Sequence, residues 1–183
     1  MGKYMKLSQI FDIVKMHFYV SAVSVFMGTI LPFVLDGSLT YIFSGVFILI
    51  YALALYSKSG EAAAHDKKEY TPEKAYAWKG LLLPCGIFAV WVVLFALYSF
   101  SWKYDIVGYS SGFINNLLFA VWNFIYSGFL DMNNGSFNWY AVVIAAVVPV
   151  AACGIGYYAG FRRFDLSEKV AKIVYEQKDE ENN

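Results

Sequence analysis

The sequence predicts an all-α integral membrane protein, a four-helix transmembrane bundle, and three observations carry that prediction. Residues 16–35, 39–57, 81–101 and 140–160 contain no Asp, Glu, Lys or Arg. At about 1.5 Å of rise per residue, each reaches across the roughly 30 Å hydrocarbon core of a bilayer. The chain is 59% hydrophobic and 15% charged, against about 25% charged in typical soluble domains. Phe, Trp and Tyr make up 20% of it, a load that suits aromatic belts at the headgroups. A soluble chain of 183 residues has too little interior to hide four such helices from water.

Before the first span, Leu7, Ile10, Phe11 and Val14 recur at helical spacing, with Lys6, Gln9, Asp12 and Lys15 displaced from them. This is the stripe of an amphipathic helix that lies on the inner leaflet or runs on into span one. The first apolar run exceeds a usual signal-peptide core and no Ala-x-Ala cleavage site directly follows it, so it reads as a retained span and not a signal peptide. Asp36, Gly37 and Ser38 make a tight outer turn into span two.

The link after span two is Ala-rich from Glu61 to Lys68 and then breaks at Tyr70-Thr71-Pro72, where Thr71 suits a cap and Pro72 the first helical position. It reads as two short helical pieces with a solvated charged face that includes His65 and Asp66. The link after span three, residues 102–139, is too long for an inert loop. Its apolar part, within residues 111–130, carries Asn115, Asn116 and Asn123. As a fifth span it would need polar partners in lipid and would move the tail's Arg162 and Arg163 outside. An additional outer helix, interfacial or re-entrant, is therefore the expectation. Beyond span four, Asp165 and Glu168 resemble a helix-start box. Leu166, Val170, Ile173 and Val174 then make one apolar face of an amphipathic cytoplasmic end helix.

Residues 1–165 thus form a single transmembrane domain, and residues 166–183 an amphipathic tail that frays at its end. Thirteen of the fourteen basic residues fall in the N-terminal segment, the middle link or the tail, and Lys103 alone lies on the other side. The positive-inside rule places both termini in the cytoplasm. The simplicity of the plan suggests a bacterial plasma membrane. The same cations favour anionic lipid on the cytoplasmic side.

Formal net charge is zero, with acids interspersed among the bases, which argues against nucleic-acid binding. No zinc-protease, phosphate-loop, nucleophile-elbow or Cys-x-x-Cys pattern occurs. No enzyme activity, metal or cofactor is therefore expected. Cys85 and Cys153 read as buried packing, and His17 as a headgroup-level histidine.

Ala152, Gly156 and Gly160 recur every four residues, a small-residue face for close helix packing, and Ser21 and Gly28 repeat it more weakly on span one. Pro149 inside span four is a candidate hinge. Two function classes follow. The first is a non-catalytic membrane component, a subunit or regulator that associates with itself or with a larger membrane complex. The second is an oligomeric transporter or channel for a neutral or aromatic solute, its site built from Asn115, Asn116, Asn123 and Tyr126.

Overall fold

The structure, a computed structural model, describes residues 6–30, 39–69, 77–104, 110–126 and 139–181. The described residues are almost entirely helical. The order is α1 (Leu7–Ile30), α2 (Leu39–Glu69), a 3₁₀ turn (Ala77–Leu81), α3 (Cys85–Lys103), α4 (Ser110–Asn123), a second 3₁₀ turn (Phe124–Tyr126) and α5 (Trp139–Glu181). Four helical stretches are long and apolar enough to cross a membrane: Leu7–Gly28, Tyr41–Lys67, Trp78–Lys103 and Tyr140–Arg162. With its 3₁₀ extension, α4 is 17 residues or about 25 Å long, and it is not among them. The expected turn at Asp36-Gly37-Ser38, the break at Tyr70-Thr71-Pro72 and the turn at 131–136 lie outside the described residues.

The inward face of α1 is the reverse of what a soluble helix would show. Gln9, Ile13, His17, Val20, Ser21 and Ser24 are buried, while Leu7, Phe11, Phe18, Tyr19 and Phe26 point outward. The expected apolar stripe is therefore split, with Leu7 and Phe11 outside and Ile10 and Val14 packed close to Gly86 of α3. In hydrocarbon an apolar side chain gains nothing by hiding, whereas an unpaired polar group must find a partner. The polar residues consequently set which face turns in.

The second helix is continuous to Glu69 and does not stop near Ser57. Its Ala-rich stretch favours helix, and Gly60 is held because α5 packs directly on it. A side chain at Gly156 would collide with the Tyr56 backbone, and one at Gly160 with the backbone of Gly60. Small residues let these two backbones approach closely. In the same way Gly80 of the first 3₁₀ turn fits against Cys153 and Gly154.

The last helix also runs unbroken, 43 residues through Asp165, so no new helix starts there. Nothing between Phe161 and Asp165 breaks a helix, and a start-box pattern alone does not make one. Pro149 lies inside α5 and is buried. It supplies no amide hydrogen to the Ala145 carbonyl one turn earlier.

Candidate functional site

Two polar clusters occupy the interior, one at an end of the bundle and one deeper in. At the end, Asp66 of α2 is 1% exposed. Its Oδ1 accepts from Gln9 Nε2 of α1 at 2.7 Å, and its Oδ2 from the Tyr157 hydroxyl of α5 at 2.7 Å. Lys79 of the 3₁₀ turn completes the set with a short, buried ion pair to Oδ2. One carboxylate thereby ties four segments together, and its charge is neutralised where it is desolvated.

Beside this cluster Lys67 donates to the Phe161 carbonyl at 3.4 Å and lies 5.0 Å from the centre of the Phe161 ring. This corrects the reading of Asp66 as part of a solvated face, although His65 is exposed as expected.

The second cluster forms where α4 ends. The last carbonyls of a helix have no amide partner within it, and here α1 satisfies one of them. His17 Nε2 lies 3.1 Å from the Trp122 carbonyl oxygen, and Ser21 Oγ donates to the same oxygen at 3.0 Å. His17 and Ser21 are one turn apart and so share a face. A carbonyl only accepts, so Nε2 carries hydrogen. In the neutral ring Nδ1 then accepts the Tyr51 hydroxyl hydrogen across 2.7 Å. His17 is 2% exposed, enclosed within the bundle. Eight residues of α1, about 12 Å, separate it from Gln9.

Asn123 continues the cluster. Its Oδ1 accepts from Trp91 Nε1 at 3.1 Å, and its Nδ2 donates to the Phe119 carbonyl at 2.9 Å. Tyr126 packs edge-on against Tyr51.

A cavity of about 90 Å³ adjoins these groups. Trp91 of α3 and Ala145 of α5 line it together with His17, Trp122, Asn123 and Tyr126. Of the four residues expected to bind solute, Asn123 and Tyr126 meet here. Asn115 instead donates to Ser101 Oγ at 2.9 Å, near the end of α3, and neither it nor Asn116 lines the cavity. Sequence reasoning missed Gln9, Tyr51, Asp66, Lys79, Trp91 and Tyr157. The only local signal was the Gln9, Ile13, His17 row, which repeats every four residues.

The packing residues occupy intrachain contacts. Gly28 lies under the Phe124 ring, Ser21 holds Trp122, and Ala152, Gly156 and Gly160 follow the side of α5 that meets α2. On the outside of α1 and α2, Tyr19, Val23, Met27, Phe43 and Ile50 line a wholly apolar groove of about 520 Å³. Comparison of the chain with protein-family profiles, with curated proteins and with solved structures returns no significant match.

Proposed function

We propose that this chain is a non-catalytic multi-pass component of a cell membrane, a subunit or regulator that associates with itself or with a larger membrane complex. The observation that carries the reading is the length of α5. Its 43 residues amount to about 65 Å of helix, more than twice the roughly 30 Å hydrocarbon core. The part beyond Arg162 holds Leu166, Val170, Ile173 and Val174 at a spacing that puts them on one side of a helix. A long helix with such a stripe suits helix-on-helix association at the membrane surface. In this reading α4 is a re-entrant helix entering from the outer side, and both termini are cytoplasmic, among anionic lipid headgroups.

The interior supports the same reading. Asp66 and Lys79 neutralise each other, and the space beside His17 is well below the roughly 300–1,000 Å³ of typical ligand pockets. Ile173→Glu in the full chain tests the proposal by crosslinking in native membranes. Loss of the crosslinked species, with thermal stability of the bundle unchanged, is the expected result. Unaltered crosslinking counts against it.

A second reading, transport of a small neutral solute, draws on the cavity at the tip of α4, since broken helices often end at substrate sites in transporters. Saturable solute flux in liposomes holding this chain alone would favour it over the first.

A further inference from the structure

We propose that the seam between α1 and α2 holds a phospholipid with an ethanolamine headgroup, its charges met at one end and an acyl chain laid along the outside of the bundle. A polar pocket and an apolar groove share that seam. The pocket, of about 300 Å³, is lined by Lys6 just before α1, by Asp12 of α1, and by Lys58 and Glu61 of α2. The groove, of about 520 Å³, offers apolar surface alone. Asp12, Met16, Tyr19, Val23 and Met27 follow one another at steps of three or four residues, so they share one face of α1. Glu61, Lys58, Ala54, Ile50, Phe47 and Phe43 do the same on α2, which runs the other way. From Asp12 to Val23 is about 16 Å of helix axis, close to one leaflet, or half of the roughly 30 Å core. A chain hanging from a headgroup at Asp12 therefore reaches along the groove.

The charges decide the headgroup. Each side of the seam brings one cation and one acid, Lys6 with Asp12 and Lys58 with Glu61, so these four groups carry no net charge. An anionic head would meet two carboxylates, and a cationic one two ammonium groups. A phosphate joined to an ammonium pairs with both kinds. Asp12 and Glu61 already face Lys15 and Lys58 at 3.6 and 2.6 Å, with the two acid side chains 59% and 61% exposed. Exposed ion pairs contribute little, so the charges of a ligand can take their place. Carboxylates accept N–H hydrogens, which ethanolamine has and choline lacks. Quaternary ammonium is held instead by aromatic faces, and no Phe, Tyr or Trp is among the described residues lining the pocket.

The test is native mass spectrometry of the full chain, released from micelles holding equal amounts of dioleoyl phosphatidylethanolamine, phosphatidylcholine and phosphatidylglycerol. Retention of phosphatidylethanolamine several-fold above either competitor is the expected result. Asp12→Asn combined with Glu61→Gln leaves the pocket positive and turns the preference to phosphatidylglycerol, with the melting temperature unchanged. Glu61→Gln alone serves if the pair does not fold, and it abolishes the preference for ethanolamine. Glycerophosphoethanolamine, the head without its chains, does not displace the lipid at equal concentration. Equal retention of the three lipids overturns the site, since that is the behaviour of ordinary surrounding lipid. So does a preference that the substitutions leave in place, displacement by the chainless head, or a lipid-free dimer that closes the seam.

Discussion

Asp66 and Lys79 form an ion pair across the gap between α2 and the following 3₁₀ turn, with side chains 1% and 8% exposed. Removing one partner of a buried pair strands the other charge, at a cost of about 3–5 kcal/mol. Lys79→Met alone is therefore expected to lower stability by that order in thermal or denaturant unfolding in mild detergent. Asp66→Leu combined with Lys79→Met should recover much of the loss, because no lone charge remains. If the double variant is as unstable as the sum of the singles, the pair acts through something other than mutual neutralisation.

The second cluster yields a graded prediction. Tyr51→Phe removes one hydrogen bond to His17 and leaves His17 Nδ1 without its donor, an expected cost of about 1–3 kcal/mol. His17→Leu also unpartners the Tyr51 hydroxyl, though Ser21 still donates to the Trp122 carbonyl. Because both substitutions touch one hydrogen bond, their effects should not add. A double-mutant cycle is expected to show about 0.5–3 kcal/mol of coupling. Additive effects would mean that the hydroxyl and the ring do not interact.

These two clusters mark the limit of what the sequence discloses. Membrane spans were legible because length and freedom from charge are local properties of a stretch. A helix in the link after span three was legible from its apolar run. The partners of the buried polar groups were not, since they are distant along the chain. Gln9 is 57 residues from Asp66, Tyr157 is 91 from Asp66, and His17 is 105 from Trp122. Read locally, Asp66 sits in a charged run and His17 beside Lys15, which suggests solvent for both. Only the packing of α5 on α2 and the descent of α4 onto α1 enclose them.

Close packing of α2 and α5 predicts opposite outcomes for two classes of glycine. A side chain at Gly156 or Gly160 would meet the α2 backbone, which cannot move aside as a flexible side chain can. Gly156→Leu should cost about 1–3 kcal/mol or more through overpacking, or prevent folding, and Gly160→Ala should be destabilising. By contrast a side chain at Gly45 would meet nothing within 4 Å. Gly45→Ala is then expected to stabilise by about 0.5–1 kcal/mol through its better helix propensity. Melting temperatures of the three variants in one detergent check the ordering. Equal tolerance at Gly45 and Gly156 would contradict the α2–α5 contact.

Orientation is the last consequence that can be measured directly. The start of α1, the end of α2, the first 3₁₀ turn and Tyr157 of α5 all meet at Asp66, so they share one end of the bundle. Lys58, Lys67, Lys79 and Arg162 belong to that end as well, while Lys103 closes α3 at the other. Cationic ends are retained in the cytoplasm. In a background of Cys85→Ser and Cys153→Ala, His65→Cys and Tyr104→Cys place single thiols at exposed positions of the opposite ends. A membrane-impermeant maleimide added to intact cells should label position 104 at once and position 65 only after lysis. The reverse pattern would invert the bundle in the membrane, put the Asp66 cluster on the outer side and send α4 in from the cytoplasm. Labelling of both positions in intact cells would instead break the four-crossing arrangement itself, since two ends of one bundle cannot face the same solution.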